Sequence, residues 1–187
     1  MKNIAIFASH NGSGLDVIVE AVNKGILAFD IKLVISNNTH AKVIQKAKDY
    51  GLHCKLINEK TVKNPDEALY ALLEEYECEY IFLAGYMKKL SCQLTDTFNV
   101  INSHPSLLPK YGGAGMYGRF VHEAVMQNNE ICSGVTIHEV NQDYDKGKII
   151  LQKSLAIEDD DTVDTLEKKI KELEKTAILE GLQLCLK

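Results

Sequence analysis

Short runs of branched and aromatic apolar residues alternate along this chain with longer segments whose apolar residues recur every three to four positions. The short runs occupy residues 3–8, 31–36, 53–57, 80–84 and 99–102; the periodic segments occupy 15–24, 41–50, 66–76 and, more briefly, 92–98. Strands alternating with helices in this way predict right-handed crossovers, and so a doubly wound, largely parallel sheet. After His104 the rhythm changes. A glycine-rich loop runs through Gly118, a helix is predicted over 119–127, and two longer strand-like runs, 132–140 and 148–157, are joined by the polar Asn141-Gln142-Asp143-Tyr144-Asp145-Lys146-Gly147. That connection predicts a hairpin, which makes the C-terminal part of the sheet mixed. Acidic residues 158–161 then lead into a last helix with Leu166, Ile170, Leu173, Ala177 and Gly181 on one stripe, so the carboxylates lie where the helix dipole favours negative charge. No repeat, low-complexity tract or linker interrupts the pattern, and a single-domain α/β fold over residues 1–187 is expected.

Composition narrows the function. The formal net charge of −5 argues against a protein that lives on a polyanionic backbone, so nucleic acid is not the expected partner. Five cysteines, Cys54, Cys78, Cys92, Cys132 and Cys185, are odd in number and have no paired short spacing; they read as free thiols of a reducing compartment. The chain opens directly on its first strand-like run, and no later run is long enough to span a bilayer. A soluble cytoplasmic protein is expected, with no membrane partner.

Chemistry concentrates in three places. In Val100-Ile-Asn-Ser-His-Pro the alternation of a strand puts Asn102 and His104 on one face and Ser103 on the other, and Pro105, which cannot donate to a sheet ladder, hands the chain over to a loop. A strand end of this kind can aim a catalytic pair. The first strand ends in Ser9-His10-Asn11-Gly12-Ser13-Gly14 and helical period starts at Leu15, so small residues open a helix N-terminus whose N–H groups can close around a phosphate. Val17 stands where a dinucleotide fingerprint needs its third glycine and no Gly-Lys-Ser/Thr ending follows, which leaves a lone phosphate on a small substrate. The hairpin connection supplies a carboxylate, Asp143 or Asp145, to set the charge and orientation of His104. His138 is a rival histidine that reads more easily as a packed strand residue. Neither His122-Glu123 nor His138-Glu139 continues to a second histidine at zinc-protease spacing, and no metal is expected.

Together these segments carry a resemblance. Gly12-Ser13, Leu83-Ala-Gly-Tyr-Met-Lys-Lys-Leu-Ser91, Asn102-Ser-His-Pro-Ser-Leu-Leu-Pro109, and Asp145-Lys-Gly147 followed by Ile149-Ile-Leu-Gln152 resemble the formyltransferase family that uses 10-formyltetrahydrofolate, over essentially the whole chain. Within that family the phosphate loop is similar to that of the purine-synthesis members, which act on glycinamide ribonucleotide. The resemblance implies 10-formyltetrahydrofolate as co-substrate and Asn102, His104 and Asp145 as the catalytic set, Asp145 being preferred to Asp143 because it precedes the shared Lys146-Gly147. It further implies Gly12, Ser13 and Gly14 for the substrate phosphate, Pro105 and Glu174 for the rest of that substrate, and Met87, Lys88, Lys89, Leu90, Val140 and Asn141, with Asn102 again, for the folate. Gly14 stands where the family usually has asparagine, Asp66 lies near the place of a folate-contacting arginine, and Lys175 replaces a customary histidine.

The mechanism expected on this basis is direct attack of the amine on the formyl carbon, since no serine or cysteine in the motif sits beside a base. Asn102 and a ring N–H of His104 would stabilise the oxyanion, His104 would return a proton to the leaving nitrogen, and Asp145 would keep the imidazole charged and hold a relaying water. A nucleotide-binding module that has kept the fold without the transfer is the rival reading.

Overall fold

The computed structural model describes residues 1–143 and 145–186, so Tyr144 of the hairpin connection and the terminal Lys187 lie outside the described residues. The chain forms two compact units, Met1–Asn102 and Ser103–Lys187.

In the first unit the elements are β1 (Lys2–Phe7), α1 (Ser13–Asn23), β2 (Phe29–Ser36), α2 (Lys42–Asp49), β3 (Cys54–Leu56), α3 (Pro65–Glu75), β4 (Tyr80–Leu83), α4 (Cys92–Thr97) and β5 (Asn99–His104), whose last two residues belong to the second unit. β1 pairs with β2 on one side and β4 on the other, β3 adds outside β2 and β5 outside β4, and every pairing is parallel. Ile4, Ala5, Ile6 and Phe7 have no exposed surface at all, as a central parallel strand covered on both faces requires. The helices start where the sequence allows. Asn64 caps α3 by accepting the Glu67 N–H, with Pro65 at the first helical position, where a missing donor costs nothing.

In the second unit α5 (Arg119–Gln127) is followed by β6 (Cys132–Glu139) and β7 (Ile149–Ala156), an antiparallel pair, and α6 (Val163–Cys185) closes the chain. A capping box of Thr162 and Thr165 starts α6. Its buried stripe is Leu166, Ile170, Ala177, Ile178, Gly181 and Leu182; Leu173, expected on it, is only half-buried. Gly181 is there because a Cβ would come 2.8 Å from the Ile137 side chain.

The parallel, doubly wound character and the C-terminal hairpin are as the patterning predicts. Two strands run longer than expected: β2 begins at Phe29, paired with Lys2, and β5 continues to His104 because the ladder is broken only by Pro105 itself.

Within the first unit the strand order reverses at β1 and β4, the place where open α/β sheets bind ligands beyond the carboxyl ends of their strands. The loops that leave those two ends are 8–12 and 84–91.

Candidate active site

Ser9 ties these two loops together. Its backbone N–H donates to Gly85 O at 3.2 Å and its buried hydroxyl accepts the Met87 N–H at 2.8 Å. The loops 8–12 and 84–91 are thus held together through Ser9.

Gly12 is the N-cap of α1 in a left-handed conformation, φ 63°, with no side-chain cap. A Cβ there would also lie 2.4 Å from Val43 Cγ2, so two independent reasons demand glycine. Ser13 is exposed and Gly14 buried in the first turn, whose leading N–H groups are the ones a helix leaves without intrahelical partners. Asp16, the acidic residue of that turn, is engaged by Lys46 and by the Tyr50 hydroxyl. In the neighbouring loop Met87, Lys88 and Lys89 are exposed, Lys88 facing Glu59 at 3.4 Å, whereas Leu90 is turned into the core. Tyr86 packs edge-on against Phe7, and burial pushes its hydroxyl up to about 12. Asn102 is half-buried on β5.

The second unit holds a buried polar cluster around His104, His138 and Asp145. His104 is buried; its Nε2–H donates to the Tyr111 carbonyl at 2.7 Å, and its Nδ1 lies 3.6 Å from Asp145 Oδ2, an approach too long for a hydrogen bond. Of the two candidate carboxylates it is Asp145 that stands here. Asp143 is exposed, its N–H closing a turn on the Asn141 side chain. Asp145 Oδ2 accepts the Gly113 N–H at 2.8 Å, and Oδ1 lies 3.5 Å from Nε2 of His138, a ring that is itself buried and whose Nδ1 donates to the Glu139 carbonyl at 2.8 Å. Each imidazole therefore commits one N–H to a backbone carbonyl and turns its other nitrogen towards the same carboxylate. A proton taken up at Nδ1 of His104 would sit beside Asp145.

Burial sets the protonation of His104. It pulls His104 below the ordinary histidine value, outweighing the upward pull of Asp145 and of the Tyr111 carbonyl, so the resting ring is neutral at pH 7. The expectation that Asp145 keeps His104 charged is corrected accordingly: a neighbouring carboxylate favours the imidazolium, but not enough to repay its loss of water. Burial alone would raise Asp145 too, yet His138, His104 and the Gly113 N–H together hold it below the usual carboxylate range.

The loop after β5 is fixed from below by Thr136, whose buried hydroxyl donates to Ser106 O at 2.7 Å and accepts the Leu108 N–H at 3.1 Å; Gln152 Nε2 donates to that hydroxyl and to Leu108 O, both at 2.9 Å. Gly112 and Gly147 leave room for close approach: a Cβ at Gly112 would meet Leu108 Cδ2 at 2.5 Å, and one at Gly147 would lie 1.6 Å from Glu139 O. Pro105 is half-buried directly after β5, and Val140 and the exposed Asn141 follow β6. Glu174, half-buried on α6, accepts the Ser103 hydroxyl at 2.5 Å.

Sequence reasoning missed Ser9, Thr136, the Tyr111 carbonyl and the place of His138 beside Asp145. The two-residue alternation Thr136, His138 along β6 is a signal that could have found the last; a backbone carbonyl leaves none.

A model of the formyl transferase family matches residues 2–182. This chain belongs to that family. The match spans both units. The chain is 33% identical over 179 residues to phosphoribosylglycinamide formyltransferase of Bacillus subtilis, covering 93% of this chain and 89% of that protein. It is also 33% identical over 176 residues to the chloroplastic phosphoribosylglycinamide formyltransferase of Arabidopsis thaliana; that match covers 90% of this chain but only 60% of the plant protein's own length. Among solved structures, the phosphoribosylglycinamide formyltransferase of Streptococcus pneumoniae superposes with a TM-score of 0.87 at 33% identity, covering all of both chains. Among the described residues no group of histidine, cysteine and carboxylate side chains is placed to hold a metal, and no helix is long and apolar enough to cross a membrane.

Proposed function

We propose that this formyl transferase moves the formyl group of 10-formyltetrahydrofolate to the primary amine of glycinamide ribonucleotide, as a single catalytic domain over residues 1–187. The observation that carries the reading is the buried His104 with Asp145 at 3.6 Å, in a chain matched to the family from residue 2 to residue 182. The names of the relatives at 33% identity support the ribonucleotide as acceptor, and the family resemblance of the sequence motifs supports the folate as donor.

The amine lone pair attacks the formyl carbon directly. Nothing in the motif serves as a covalent nucleophile: the Ser103 hydroxyl is spent on Glu174 and that of Ser106 on the Lys110 carbonyl. The carbonyl electrons move to oxygen, where the Asn102 amide donates to the oxyanion. His104, neutral at rest, takes up the proton that the amine releases at Nδ1; Asp145 stabilises the imidazolium, which then returns the proton to the leaving N10. No metal takes part. Ser13 and the backbone of Gly12 and Gly14 receive the phosphate, Pro105 and Glu174 contact the rest of the ribonucleotide, and Met87 to Leu90, Val140, Asn141 and Asn102 contact the folate. The net charge of −5 supports small-molecule rather than nucleic-acid partners, and free cysteines support a cytoplasmic location.

A turnover assay with the purified protein, glycinamide ribonucleotide and 10-formyltetrahydrofolate tests this. Formylated ribonucleotide and deformylated folate should appear in equal amounts. Binding of both substrates without transfer would instead support the rival binding module, and release of free formate would point to a hydrolase.

A further inference from the structure

Ser103 stands between the two side chains that β5 aims at chemistry, and the strand alternation turns it to the opposite face, where a serine would be expected to be inert. It is not idle there. Its buried hydroxyl donates to Glu174 Oε1 at 2.5 Å, joining the strand that carries His104 to α6 across 71 positions of sequence. No other hydrogen bond reaches the Glu174 carboxylate among the described residues, and Oε2 is not among the sealed, unpartnered atoms, which are Ser91 Oγ, His122 Nδ1 and Ser133 Oγ.

We infer that Ser103 is a positioning residue: it holds Oε1 of Glu174 in one rotamer and leaves Oε2 as the acceptor for a hydroxyl or N–H of the ribonucleotide substrate. This rests on the reading of Glu174 as a contact to that substrate. A free glutamate side chain must be ordered when ligand binds, at the expense of affinity, whereas one tied at Oε1 is ordered beforehand.

The same bond supports the charged form. Burial raises the Glu174 carboxyl above its ordinary value, and the Ser103 hydroxyl, followed by Lys171, pulls it back. Lys171 is itself paired with Glu167 at 2.5 Å, and Lys175 on the same helix with Glu172 at 2.6 Å. On the elements packed against α6, Arg119 and His122 of α5 act on Glu167, and Lys153 of β7 is taken by Glu180. His138 of β6 and His104 of β5 face Asp145. Ser103 is thus the dedicated partner of this carboxylate.

The test measures kcat and both KM values against pH for the wild type, Ser103→Ala, Ser103→Thr, Glu174→Gln and the Ser103→Ala/Glu174→Gln double variant, with Tm recorded for each. Ser103→Ala should raise KM for glycinamide ribonucleotide about tenfold, leaving kcat and the folate KM within about twofold, as expected for lost uniform binding. Its acid limb of kcat/KM should move to higher pH, because Glu174 loses the bond that favours its anion. Ser103→Thr should restore both, and the double variant should be no worse than Glu174→Gln alone. The inference is overturned if Glu174→Gln raises the ribonucleotide KM while Ser103→Ala does not, or if Ser103→Ala adds its full effect to Glu174→Gln. If Glu174→Gln leaves that KM unchanged, the reading of Glu174 as a substrate contact fails and the inference falls with it.

Discussion

His104 donates its Nε2–H to the carbonyl of Tyr111 at 2.7 Å, and Tyr111 presents that carbonyl from a left-handed backbone conformation, φ 56°. A bulky residue there costs about 1–2 kcal/mol, so the geometry persists only because its surroundings enforce it. Tyr111 is anchored by its own hydroxyl on Glu130 at 2.9 Å, and Lys110 beside it reaches the same carboxylate at 2.8 Å. The outcome is a histidine with one nitrogen spent on a carbonyl and the other facing Asp145.

The direction of the His104 shift makes a titration prediction. Asp145 pulls the ring upward against burial, so Asp145→Asn should move the His104 titration to lower pH, and Asp143→Asn, at an exposed position, should leave it in place. The C2 proton of His104 followed by NMR against pH checks both. The reverse pattern would reassign the carboxylate partner.

Stability should follow the same sign. Because the native ring binds its proton less readily than the unfolded chain does, the contribution of His104 is complete above about pH 6.5 and is lost as pH falls through its lowered native value. Asp145, depressed in the fold, adds a second loss below about pH 4. Urea midpoints between pH 7 and pH 3 should fall, and His104→Gln should flatten the upper part of that fall. A midpoint that held constant down to pH 4 would contradict the assignment.

For catalysis, His104→Ala and Asn102→Ala should each lower kcat by roughly a hundred-fold or more, with the ribonucleotide KM changed little, since Asn102 is proposed to donate to the oxyanion and His104 to carry the proton, both as the transition state forms. Steady-state rates with both substrates decide this. Near wild-type turnover in either variant would remove that residue from the catalytic set.

The proposed phosphate contact of residues 12–14 needs a test that respects their packing. Gly12→Ala would force a Cβ to 2.4 Å from Val43 Cγ2 at a positive φ, and should cost about 2 kcal/mol or more of stability in urea unfolding, whatever happens to binding. Ser13→Ala, at an exposed first-turn position, should keep stability within about 0.5 kcal/mol and raise only the KM of the phosphorylated substrate. Equal damage to folate KM would show that the loop does more than hold phosphate.

Thr136→Val replaces a hydroxyl that holds Ser106, Leu108 and Gln152 by an isostere that holds none. Leaving the buried Leu108 N–H without its acceptor should cost about 1–3 kcal/mol, measured by urea unfolding. An unchanged midpoint would mean the loop beyond β5 is not fixed from β6.

What the sequence determined by itself was the local order. The alternation of apolar runs with helical periods located nearly every element, because strand and helix periodicities are written into neighbouring residues. Pro105 marked the end of β5, and the alternation across Asn102, Ser103 and His104 divided them between two faces. The residues alone left Asp143 and Asp145 open, and the choice of Asp145 came from the family resemblance around Lys146-Gly147; Gly147 is held there by a carbonyl, that of Glu139, with which any side chain would collide. Tertiary structure alone decided the protonation and the company of these groups. His138 reads in sequence as a packed strand residue, and only the return of the chain after β6 brings Asp145 to within 3.5 Å of it. The neutral state of His104 depends on how much water is excluded around it, a property of the packed cluster and not of any spacing. The Tyr111 carbonyl and the Ser9 hydroxyl are contacts between backbone and distant side chains, and neither backbone direction nor a bond across 78 positions leaves a mark on residue identity.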